Sequence, residues 1–107
     1  SSPVVASLTH SAKGQMKSGQ LDRAFSTVER ALRIDSSNPN LWNLMARIQL
    51  KRGNIQQAEQ LARKSNLLSR GDRDLQADNW RIIAASLKRR GAAEAAEKAE
   101  MRAKELK

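Results

Sequence analysis

The sequence predicts an all-α fold, three antiparallel helical hairpins stacked into a short solenoid of about six helices. Three observations carry this. A glycine recurs at Gly19, Gly53 and Gly91, with a step of 34 residues to the second and 38 to the third. Five residues after each glycine stands Ala24, Ala58 or Ala96, and seven further stands Ala31, Ser65 or Ala103. Eleven residues before each glycine stands a bulky apolar residue, Leu8, Trp42 or Trp80. The whole chain, 1–107, reads as one domain, with repeats at about 5–38, 39–72 and 73–107.

In the first repeat a weak opening helix is expected over roughly Val4 to Lys17, with Ser11, Ala12 and Gln15 in its central slots. The second helix, about Leu21 to Ile34, carries the stripe Ala24, Phe25, Val28, Ala31 and Leu32 at helical spacing. In the second repeat, Asn38-Pro39 opens a helix with a favoured N-cap and a proline at the first helical position. Leu41, Trp42, Leu44, Met45, Ile48 and Leu50 recur along it, and Lys51-Arg52-Gly53 closes it. The cations oppose the negative helix C-terminus, and the glycine accepts the left-handed conformation. Asn54 is expected to cap the following helix, whose stripe is Ile55, Ala58, Leu61, Ala62, Ser65 and Leu68. In the third repeat Asp72 is the expected N-cap, after the Ser69-Arg70-Gly71 break. The longer step before Trp80 adds about one helical turn, so the next helix is expected over Arg73 to Arg90. A last helix, about Ala92 to Leu106, follows; Glu100 stands where the second repeat has Ala62, which gives its outer face a charge.

Composition limits the function. No run of about 18 apolar residues is present to span a membrane. No cysteine is present, which excludes disulfides and thiolate metal sites. The chain opens Ser1-Ser2-Pro3-Val4 without Met, as expected of a piece trimmed from a longer protein. A net charge of +9, from 20 Lys and Arg against 11 acids, favours acidic partners and also keeps a small domain dispersed as a monomer.

Catalysis has little to stand on. His10 is the single histidine, and neither Cys, Tyr nor a phosphate-cradling glycine loop occurs. No catalytic residue, cofactor or metal is therefore assigned. Asp72, Asp74 and Asp78 lack the glycine turn and distal glutamate of a calcium loop, and read better as acids near a helix N-terminus. Trp42, Trp80 and Phe25 are assigned to the core, where truncating either Trp to Ala is expected to cost about 3–5 kcal/mol. That assignment leaves no aromatic for base stacking, so nucleic acid ranks last among partners.

The recurring slots resemble the tetratricopeptide repeat over nearly the whole chain. The second repeat shows Trp42, Met45-Ala46, Gly53, Ala58, Ala62 and Ser65; the third shows Trp80, Ile83-Ala84, Leu87, Gly91, Ala96 and Ala103. The first departs from the pattern, with Leu8 for Trp and Ser11-Ala12 for Leu-Gly. The stretches Leu41-Trp42 through Gly53, Gln57 to Ala62, Lys64-Ser65-Asn66 and Asn79-Trp80-Arg81 are similar to repeat modules of bacterial envelope lipoproteins. Some of those stimulate a bifunctional penicillin-binding protein that builds peptidoglycan. The resemblance implies a periplasmic domain, tethered to the outer membrane through an upstream lipid anchor. A cytoplasmic adaptor for an acidic peptide is the second reading.

The family resemblance further implies a partner-binding concave surface made by the first helix of each repeat. Its slots here are Lys13 and Lys17, with Thr9 and His10, in repeat one; Asn43, Leu44, Arg47 and Lys51 in repeat two; and Arg81, Ile82, Lys88 and Arg89, with Asp78, in repeat three. The pairs Lys13/Lys17 and Arg47/Lys51 are four apart and share a helix face. Leu44 and Ile82 stand where a carboxylate clamp would place polar residues, so an acidic or amphipathic segment is the expected ligand.

Overall fold

Six helices follow one another in the computed structural model, which describes residues 2–107; of the expected domain only Ser1 lies outside. They are α1 (Pro3–Lys17), α2 (Leu21–Ile34), α3 (Pro39–Arg52), α4 (Ile55–Leu68), α5 (Arg73–Arg89) and α6 (Ala93–Glu105). The fold is all-α, and α5, at 17 residues, is the longest helix, as the longer repeat step requires.

The repeated glycine has a local cause. Gly53 sits at φ +85°, where a side chain would be strained. Its N–H reaches the Leu50 carbonyl at 3.1 Å and the Asn54 N–H reaches Gln49 at 2.9 Å, the paired bonds that close a helix end. Gly19 and Gly91 repeat both bonds, Gly19 to Met16 with Gln20 to Gln15, and Gly91 to Lys88 with Ala92 to Leu87. Helix starts are less uniform. Asn38 Oδ1 accepts from the Asn40 N–H at 2.9 Å and Asp72 Oδ1 from the Leu75 N–H at 3.1 Å. Asn54 departs from its expected capping role: it makes no side-chain cap, and its amide instead donates to Gln49 Oε1 at 3.2 Å.

The small residues of the repeat make up much of the core. Ala24, Ala31, Ala58, Ser65, Ala96 and Ala103 are all buried, which lets paired helices approach closely. The first core cluster joins Val5, Ala12 and Met16 of α1 to Val28 of α2 and Leu41, Leu44 and Ile48 of α3. The second joins Ala46 and Ala62 to Ile82, Ile83 and Leu87 of α5 and to Ala96 and Ala99 of α6. The assignment of the bulky slot to the core needs correction. Leu8, Trp42 and Trp80 are only half-buried, as is Phe25. Leu8 and Phe25 pack against the edge of the first core cluster and Trp80 against the edge of the second. The Trp42 Nε1–H donates to the Ser36 carbonyl at 2.8 Å.

Candidate partner-binding surfaces

The groove between α1 and α3 holds the expected basic group. Two adjoining recesses of about 510 and 600 Å³ share His10, Lys13 and Arg47; Lys17 and Lys51 line the second. Lys13, Lys17, Arg47 and Lys51 are exposed. None of them forms an ion pair among the described residues. Four unpaired cations along one groove create a positive potential there. The i,i+4 spacing on each helix accounts for their alignment, and the side-by-side packing of α1 and α3 makes two pairs into a cluster.

The remaining expected groove residues divide: Asn43 and Leu44 line the first recess, and those of α5 do not line either recess. Leu44, at 2% exposure, contributes only a small part of the floor of that recess, and Ile82, at 6%, belongs to the second core cluster. Asn43 edges the same recess while its amide is committed within the protein, donating to Asp78 Oδ2 and Asn79 Oδ1, both at 2.8 Å. Arg81 is exposed on α5, and Arg89 donates to the Leu50 carbonyl at 3.2 Å, tying α5 to the end of α3. Lys88 faces away from the groove, lining a recess with Ala84, Ala85, Glu97 and Glu100. Neighbouring residues on a helix are rotated by about 100°, so Lys88 and Arg89 cannot share a face.

Two features escaped the repeat pattern. Asn79 is fully buried and also donates to Ser65 Oγ at 2.7 Å and Asn66 Oδ1 at 3.0 Å, while Ser65 donates to the Pro39 carbonyl at 2.8 Å. With Asn43 and Asp78 this forms a polar seam joining α3, α4 and α5. The clue was Ser65 in a slot that the other repeats fill with alanine. The second feature is a groove of about 690 Å³ on the opposite side, floored by Phe25, Leu32, Trp42, Met45 and Leu61 between α2 and α4. Assigning Trp42 and Phe25 to the core concealed it.

The acids of α5 behave as helix-terminal and network groups. Asp72 caps, Asp78 accepts from Asn43, and Asp74 lies 3.8 Å from Lys107. Among the described residues no cluster of three potential metal ligands occurs. Nor is any described helix long and apolar enough to cross a membrane.

The pattern of the tetratricopeptide repeat matches residues 15–77. Among solved structures the chain is similar to the globular C-terminal domain of P. aeruginosa LpoP, at 33% identity and a TM-score of 0.93. That likeness covers 97% of this chain and 98% of the other. No curated protein matches the chain.

Proposed function

The chain belongs to the tetratricopeptide repeat family, and on that premise we propose that it docks a partner protein in the basic groove between α1 and α3. The partner is a bifunctional penicillin-binding protein that builds peptidoglycan, and the docked segment is acidic or amphipathic. The domain works in the periplasm, carried by a longer protein anchored in the outer membrane. The unpaired cluster of Lys13, Lys17, Arg47 and Lys51 is the observation that carries the site. The partner class rests on the likeness to the LpoP domain and on the similarity of Leu41 through Gly53, Gln57 to Ala62, Lys64-Ser65-Asn66 and Asn79-Trp80-Arg81 to envelope lipoprotein modules.

The domain acts without chemistry of its own. It raises the synthase rate by binding the synthase's active conformation more tightly than the inactive one, since only differential affinity shifts an equilibrium. Purified chain mixed with a purified bifunctional synthase is expected to bind and to speed glycan polymerisation. Arg47→Glu/Lys51→Glu is expected to weaken binding at least about tenfold while circular dichroism stays unchanged. Added salt weakens the wild-type complex, because exposed charges are screened. Unchanged binding by the variant refutes the groove; a wild-type chain that neither binds nor accelerates the synthase refutes the partner.

A further inference from the structure

The outer groove between α2 and α4 is a second opening in the protein, on a face the basic groove does not touch. Its floor is apolar, made by Phe25 and Leu32 of α2, Trp42 and Met45 of α3, and Leu61 of α4. Its volume of about 690 Å³ lies within the range of sites that hold drug-sized or peptide ligands. One repeat further on, the equivalent recess shrinks to about 270 Å³, lined by Arg63, Trp80, Leu87, Ala99 and Arg102. There Arg63 reaches from α4 over the ring of Trp80, with its Cζ 5.9 Å from the ring centroid. The residue in the equivalent slot of α2 is Glu29, whose carboxylate is repelled by the negative face of an indole. Trp42 thus lacks the second cation that Arg63 places beside Trp80, and the groove over it is the wider of the two.

The charges around this groove are unevenly placed. Arg52 stands over Phe25 at 4.6 Å and pairs with Asp22 at 3.2 Å, closing one end. Toward the other end, Arg33 at the end of α2 and Lys64 on α4 line the opening beside Ser36. Both are exposed and neither has an acidic partner among the described residues. Lys64 lies 5.6 Å from the Trp42 centroid, where it can stay on the ring and still meet an anion.

We propose that this groove binds a peptide segment in which one bulky apolar side chain is followed by an acidic residue. The apolar side chain lies on Trp42, Leu61 and Phe25, and the carboxylate reaches Lys64 and Arg33. Glu29 excludes a second acid on the near side, which sets the direction of the segment. The occupant is a partner protein's segment, docked independently of whatever fills the basic groove.

The test is an NMR titration of the ¹⁵N-labelled chain with acetyl-Gly-Gln-Phe-Glu-Gly-amide, read at the indole N–H signals of Trp42 and Trp80. Lys-for-Glu and Ala-for-Phe versions of the peptide serve as controls. The expected result is a saturable shift of the Trp42 signal alone, largest with the Phe-Glu peptide. The exposed variant Arg33→Glu/Lys64→Glu is expected to lose at least about tenfold in affinity for that peptide and to gain for the Phe-Lys peptide. Arg47→Glu/Lys51→Glu, on the other face, is expected to bind the peptide as wild type does. Absence of a Trp42 shift overturns the proposal, as does equal response to the Glu and Lys peptides. So does a Trp42 shift that follows protein concentration without peptide, since a second copy of the chain would then be the occupant.

Discussion

The two seams between neighbouring hairpins use the same repeat slots and are built differently. Where the first and second hairpins meet, Ala31, Leu32 and Leu41 fill the joint with apolar side chains. One repeat later these slots hold Ser65, Asn66 and Asn79, tied by hydrogen bonds of 2.7 and 3.0 Å. The outer edge changes in parallel. Arg52 stands over Phe25 at the first seam, whereas Arg90 at the second meets Glu59 in the corresponding slot at 3.1 Å. Glu59 also holds Arg63 at 3.1 Å, and Arg63 and Arg102 both lie against Trp80. The second seam is therefore hydrogen-bonded and keeps a recess of about 270 Å³ beside Trp80, whereas the first is apolar and leaves about 690 Å³. An identical backbone plan thus carries one hydrogen-bonded joint and one apolar joint.

The polar seam offers the largest effect. Asn79→Leu has nearly the right volume but leaves Asn43, Ser65 and Asn66 short of buried partners, at an expected cost of about 3 kcal/mol. Adding Ser65→Ala and Asn66→Leu rebuilds the apolar pattern of the first seam and is expected to recover most of that loss. Urea midpoints at constant m-value give both figures. A triple variant no more stable than Asn79→Leu would show that the two seams are not interchangeable.

The tryptophans come next. Trp80→Ala removes a ring with arginines 5.9 and 5.2 Å from its centroid, and is expected to cost about 3 kcal/mol. Trp42→Ala removes a ring open on one side and is expected to cost about 2 kcal/mol, below the range for a fully buried aromatic. The same urea series compares the two, and equal losses would contradict the difference in cover.

The smallest effect is a gain. Glu29→Arg gives Trp42 the second cation that Arg63 gives Trp80, and is expected to stabilise the chain by about 0.5 kcal/mol. Amide exchange in α2 should slow slightly, and the Phe-Glu peptide should lose its site. Retained peptide binding in this variant would show that the open indole face is not what admits a ligand.

Much of the fold was legible because its causes are local. Gly19, Gly53 and Gly91 end helices through bonds that reach no more than five residues back, and Asn38 and Asp72 start helices through bonds of two or three. The basic pairs were legible for the same reason, since residues four apart share a face wherever the helix goes. Legibility failed for adjacent residues treated as one surface. Of the expected groove slots, Ile82 turns into the core and Lys88 to the far face of α5, while Asn43 and Leu44 edge the first recess as largely buried side chains.

The sequence by itself determined the number of hairpins, their turns, the small-residue contacts and the cationic character of the first helices. Each depends on spacing within one repeat. Tertiary structure decided which cations meet, which tryptophan is covered and where the outer groove opens. Those outcomes depend on side chains from different repeats arriving at one point, and only the stacking angle of the hairpins brings them there.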